Sequence, residues 1–166
     1  MKAHRVSWAI VMAAALMASA CGRKDGGNDN TSAASSGPPA NPSVSQYDSG
    51  PRAGEAPIDE ARAKQGEALF QAKGCSACHA FGRKLSCPDL DGVTMRRTAL
   101  WMENQILHPE VMTKQDPIAH QLFAQFSLQM PNQGLTPDEA RAVIEFLKHK
   151  NHEAGEAQEA KKEEGK

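Results

Sequence analysis

Cys75-Ser76-Ala77-Cys78-His79 is the run of this chain that could do chemistry. Two thiols three positions apart on a turn of helix can reach the two vinyl groups of one porphyrin and form thioethers. The adjacent histidine then lies under the ring with its imidazole aimed at the iron. The spacing reads as covalent attachment of one haem c, with His79 as an axial ligand. Two other chemistries use the same residue types. Zinc could draw on Cys75, Cys78, His79 and Cys87, but neighbouring Cys78 and His79 do not readily share one tetrahedral ion, and no second Cys-x-x-Cys closes a site. A thioredoxin-like redox pair expects a βαβ setting, and none is visible.

A haem iron needs a sixth ligand, and histidine with methionine is the electron-transfer pairing. The methionines beyond the N-terminal segment are Met95, Met102, Met112 and Met130. Met95 falls too near the attachment loop to cross to the other face. Met102 sits in a helix and reads as core packing. Met112 is placed in a loop and is the second choice. Met130, in Gln129-Met130-Pro131, is the first choice; its rival role is a buried core methionine. His108, His120, His149 and His152 are further ligand types, each better read as exposed or capping.

These residues must be held by helices. Ile58 to Lys73 reads as the first, capped by Asp59 and stopped by Gly74, with Gly66 inside it. A glycine there costs ~1 kcal/mol against alanine, so close approach of another helix is expected. Thr98 opens a second helix, Ala99 to Leu107, ended by Pro109. Asp116-Pro117 starts a short third. Thr136-Pro137-Asp138-Glu139 combines a cap, a proline at the first helical position and a glutamate three residues after the cap. The helix it opens runs to about Lys150. No alternating stretch of useful length exists, so the folded part, 57–150, is expected to be all-α, with three to five short helices around one haem.

The flanks differ in composition. Lys2 and Arg5 precede an apolar run from Val6 to Met17 and small residues at Ala18-Ser19-Ala20, the pattern of a cleaved signal over 1–20. The run is shorter than the ~20 residues of a spanning helix. Cys21-Gly22 after those residues resembles the bacterial lipobox, with Ala18 where leucine is usual, so Cys21 is the expected lipidation site. Residues 21–56 are Gly-, Ser-, Asn- and Pro-rich and read as a flexible tether spanning about 30–35 Å. Residues 151–166 read as a disordered charged tail. The chain has 166 residues and a formal net charge of −1, which offers no basic excess for nucleic acid.

Over Ile58 to His149 the sequence resembles class I bacterial cytochrome c. Gly66 and Phe70 look like that family's small-plus-aromatic crossing point, and Phe146 like the aromatic it meets. Pro88-Asp89-Leu90 is similar to its Gly-Pro-Asp-Leu loop, with Cys87 in place of glycine. The resemblance implies that the Pro88 carbonyl bonds the axial histidine. It also implies that Arg96, Arg97 and Trp101 lie near the haem propionates, and that Met130-Pro131 is the distal ligand loop. The implied role is a one-electron carrier, not an enzyme, with no catalytic residue. It would be monomeric, exported and lipid-anchored on the periplasmic or cell-surface side, and would meet other redox proteins in brief encounters. The alternatives are a haem enzyme or gas sensor with an open sixth site, or a fixed haem subunit of a respiratory complex. Cys87 is left without a role beyond filling the pocket wall.

Overall fold

The computed structural model describes residues 44–165, so the expected signal, the lipidation site at Cys21 and most of the tether lie outside the described residues. Six α-helices succeed one another: α1 Glu60–Ala72, α2 Val93–Arg96, α3 Ala99–Leu107, α4 Pro109–Gln115, α5 Pro117–Phe126 and α6 Pro137–Glu164. Short 3-10 turns cover Ala53–Glu55 and Cys75–Ala77. The domain is all-α, with six helices where three to five were expected. The additions are α2, a single turn after Gly92, and α4.

Local signals set the helix starts. Asp59 accepts from the Arg62 N–H, Thr98 from the Trp101 N–H, and Asp116 from the Ile118 and Ala119 N–H groups. Thr136 and Glu139 form the reciprocal box, with the Thr136 N–H donating to Glu139 Oε2 at 2.7 Å. α1 ends at Gly74, whose φ of +74° is left-handed.

α1 and α6 cross at Gly66, where α1 has no room for a side chain. A Cβ on Gly66 would collide with the Ala142 backbone carbonyl and with Phe146 Cβ. Phe70 and Phe146 pack beside the crossing with ring centroids 5.3 Å apart. Phe81, from the loop after the haem motif, meets Phe146 edge-on at 5.9 Å. Trp101, Met102, Val143, Ile144 and Leu147 continue this core.

Both flanks correct the sequence reading. The tether's last part, expected to be flexible through residue 56, is docked from Ser45. Asp48 Oδ1 accepts from Arg52 at 2.9 Å and from the Thr98 N–H at 2.8 Å. Thr98 Oγ1 donates to the Tyr47 carbonyl at 2.6 Å, and the Ala53 N–H to the Arg97 carbonyl at 3.0 Å. This strap is held by polar and backbone bonds, which a count of apolar residues does not register. The tail, expected to be disordered from Asn151, continues α6 to Glu164. Asn151 ties it down: its Oδ1 accepts from Thr94 N–H and Oγ1, and its Nδ2 donates to the Leu90 carbonyl. Beyond that, Ala, Glu and Lys favour helix, and pairs such as Lys150–Glu153 and His152–Glu156 support it, while nearly every residue stays exposed.

Candidate functional site: an apolar cleft between two loops

The left-handed Gly74 turns the chain into the 3-10 turn Cys75–Ala77, and the His79 N–H donates to the Cys75 carbonyl at 3.0 Å. Cys75 and His79 thereby enter one cleft of about 1110 Å³, part of it open to solvent. The same cleft is lined by Pro88, Leu90 and Val93, by Trp101, Met102, Gln105 and Ile106 of α3, and by Leu122, Phe123 and Phe126 of α5. Leu128 and Met130 line it from the loop before α6. Arg96 and Arg97 supply its positive charge. Cys78 is half-buried and is not part of the lining.

His79 Nδ1 lies 2.9 Å from the Pro88 carbonyl oxygen. A carbonyl only accepts, so Nδ1 carries the proton and Nε2 keeps its lone pair. Burial pulls the His79 pKa below its ordinary value, against the opposing Pro88 bond, which favours the neutral imidazole that binds metals. Burial pushes the Cys75 and Cys87 thiols above theirs, with Cys78 adding to the effect at Cys87.

Of the methionines, Met130 and Met102 reach the cleft. Met102 is also packed into the hydrophobic core. Met112 does not lie in a loop: Pro109 starts α4 rather than only ending α3, and Met112 is buried inside that helix at 1 % exposure. Met95 is exposed and is not part of the cleft lining. None of His108, His120, His149 and His152 lines the cleft. A residue that sequence reasoning does not single out joins Met130. Gln105 Nε2 donates to its sulfur at 3.7 Å, while Gln105 Oε1 is buried without a partner. A polar residue between the apolar positions of α3 is the available signal.

The Trp101 ring lines the cleft, and its one side-chain N–H donates to Asp116 Oδ1 at 2.9 Å. Arg97 stacks on that ring, Cζ to centroid 5.2 Å, and its guanidinium reaches Asp48 of the strap at 3.5 Å. Arg96 donates to the Asp91 carbonyl at 2.6 Å.

The donor set suits an iron porphyrin. It offers an apolar slot, one imidazole nitrogen free for metal, a thioether sulfur, a thiol in the wall with a second three residues on, and two guanidinium groups for carboxylates. It suits zinc less well, because among the described residues no three His, Cys, Asp or Glu side chains gather as a metal site.

Residues 63–151 match the family described as Cytochrome c. Among solved structures, the chain is similar to a cytochrome c from Rhodothermus marinus at 34% identity and a TM-score of 0.57, covering 58% of this chain and 83% of that one. An engineered cytochrome c from the same organism matches at 33% identity and a TM-score of 0.55, over 58% and 83% of the two chains. The engineered protein bound to a carbene intermediate matches at 33% and 0.53, over 58% and 82%. No curated protein matches the chain.

Proposed function

The chain belongs to the cytochrome c family, and on that premise we propose that it is a one-electron carrier of the class I bacterial type, with one haem c ligated by His79 and Met130. Membership implies a covalently bound haem and a general role in haem-based electron transfer. The bound group supplies a ferric/ferrous couple, and the protein sets how readily that couple accepts an electron.

Cys75 and Cys78 hold the porphyrin through thioethers. His79 presents Nε2, and the Pro88 carbonyl fixes the ring's tautomer and rotation. Met130 presents its sulfur from the loop before α6, and Gln105 steadies that sulfur. A thioether ligand raises the potential relative to a second histidine. Arg96 and Arg97 are the propionate partners in this reading; Trp101 contributes its ring face as wall. Phe123 and Leu128, exposed at the cleft, leave an apolar edge where a redox protein can dock briefly.

The remaining assignments come from the sequence. Residues 1–20 act as an export signal, and a lipid on Cys21 holds a monomeric domain at the periplasmic or cell-surface side. Among the described residues no helix is long and apolar enough to cross a membrane.

The observation that carries this reading is the gathering of Cys75, His79 and Met130 on one apolar cleft, with His79 Nδ1 committed to Pro88. Visible and near-infrared spectra of the ferric and ferrous protein test it. A methionine–iron charge-transfer band, lost in Met130→Ala, is the expected result. Carbon monoxide or peroxide binding to the unmodified protein would instead favour the haem enzyme or gas sensor. A free Cys21 thiol in the mass spectrum of the mature protein would remove the anchor.

A further inference from the structure

Residues 63–151 carry the family match, and the strap of residues 45–55 lies ahead of them. Low apolar content gives that strap little surface to bury, so polar bonds must offset its ordering entropy. It makes them around one residue of the domain. Asp48, whose side chain is 10 % exposed, accepts at Oδ1 from the Thr98 N–H at 2.8 Å and from Arg52 at 2.9 Å. Its Oδ2 faces Arg97 Nη1 at 3.5 Å. Arg52 Nη1 also donates to the Arg96 carbonyl at 2.9 Å, and the Ala53 N–H to the Arg97 carbonyl at 3.0 Å. The strap therefore grips Arg97 at the peptide before it, at its own carbonyl and at its guanidinium.

Arg97 carries that grip to the cleft wall. Its guanidinium lies on the Trp101 ring, Cζ to centroid 5.2 Å, and the ring is fixed in turn by its N–H to Asp116. Only Nη1 is engaged, by Asp48 and by the Arg96 carbonyl at 2.9 Å. Nε and Nη2 make no hydrogen bond among the described residues. Those two nitrogens form one side of the planar fork, which meets a carboxylate through two parallel N–H bonds. Arg96 is used differently. Its Nη1 donates to the Asp91 carbonyl at 2.6 Å and its Nη2 to the Asp89 carbonyl at 3.4 Å, so it staples the loop after Pro88.

We infer that Asp48 is a positioning residue of the haem site: it holds Arg97 against Trp101 so that the free Nε–Nη2 edge receives a haem carboxylate. This rests on the haem reading above, and it brings in a residue from outside the family-matched region. A long arginine loses rotamer freedom when it is immobilised, and one held beforehand has less left to lose when the carboxylate arrives. Asp48 does not compete for the same edge, because it takes Nη1. Charge fits as well. Arg52 and Arg97 share the single carboxylate of Asp48, so one positive charge is left over for another.

The test is the resonance Raman spectrum of the intact holoprotein, in which the bending bands of the haem carboxylate side chains shift with their hydrogen bonds. Arg97→Met removes the donors and should shift one of these bands. Asp48→Asn keeps an acceptor for the Thr98 N–H but removes the charge facing Arg97. It should move the same band in the same direction, by part of that shift. The double variant should go no further than Arg97→Met, because Asp48 acts through Arg97. A band unmoved in either single variant overturns the proposal, and so do two shifts that add in the double variant. If Asp48→Asn does not fold, proton–nitrogen NMR of the unmodified ferrous protein decides. The Arg97 Nε–H should exchange slowly and show an Overhauser contact to a haem carboxylate side chain; absence of that contact overturns the proposal. A chain without covalent haem fails this reading and the previous one together. A chain with haem and its methionine band, but with carboxylate bands indifferent to Asp48, fails this one alone.

Discussion

The segment that carries His79 and the segment that carries Met130 are built in different ways. Residues 74–92 are tied by backbone bonds, including the Leu90 N–H to the Ala80 carbonyl at 2.9 Å. Asp89 Oδ1 accepts from the Gly82 and Asp91 N–H groups, and Asn151 reaches in from α6. Residues 128–135 make no backbone–backbone hydrogen bond among the described residues. They hang on side chains: Asn132 Nδ2 to the Leu107 carbonyl at 2.8 Å, and Gln105 to the Met130 sulfur. Leu128 is 45 % exposed. One proposed ligand is thus part of the scaffold, and the other is held against it. Two ligands can complete one coordination sphere while differing in how much of the protein must move to release them.

The contrast can be broken most severely at the covalent side. Cys75→Ala with Cys78→Ala should abolish haem attachment, read as loss of the haem mass from the intact protein. With no covalent haem to fill the cleft, the yield of folded domain should collapse too. Met130→Ala should be milder. The haem mass stays, the near-infrared band disappears, the potential drops, and stability falls by less than the ~2–5 kcal/mol of a fully buried methionine cut to alanine, because Met130 is half-buried. Should Met130→Ala lose the haem as completely as the double cysteine variant, the two segments would not differ as described.

Smaller changes sharpen the comparison. Asn132→Ala removes one loop bond and should cost about 1 kcal/mol in denaturant titration. It should also speed displacement of the methionine by added imidazole, with His79 ligation intact. Pro88→Ala keeps the carbonyl that His79 uses, so imidazole displacement should be nearly unchanged; a large acceleration would show that the His79 segment is no firmer. Acid should act weakly on the Met130 side through Glu139. Its carboxylate is held below the ordinary value of 4.5, chiefly by the Thr136 N–H. A depressed carboxylate stabilises the fold above its ordinary value, and that contribution is lost as pH falls through the depressed one. The methionine band should therefore weaken over that window, and Glu139→Gln, which cannot titrate, should remove that part of the change.

Legibility in the sequence divides along the same line. The haem motif and the caps Asp59, Thr98, Asp116 and Thr136 act over a few residues, so their spacing carries them, whereas Pro88 is legible only through the resemblance to the family's loop. Gly66 is legible because a mid-helix glycine needs a reason, and Ala142 and Phe146 supply it. Contacts made across sequence distance are not legible. Trp101 gives no sign that Asp116 takes its N–H, and Gln105 none that it meets Met130. α4 escapes sequence reasoning because Pro109 ends one helix and also begins the next. The strap around Asp48 escapes it because a low apolar content says how much surface can be buried, not how many polar bonds can be made.

The α1–α6 crossing joins the two ends of the domain. Gly66 and Phe70 lie before the haem motif, while Ala142 and Phe146 lie after every other lining element. Closing so long a loop is slow, because its entropy is spent before the contact rewards it. As the chain emerges from its N-terminus, the thiols and His79 come forward well ahead of the helix that completes the core. Until the last helix is in place the α1–α6 contact cannot form, so the side of the core that Phe146 closes depends on the far end of the domain.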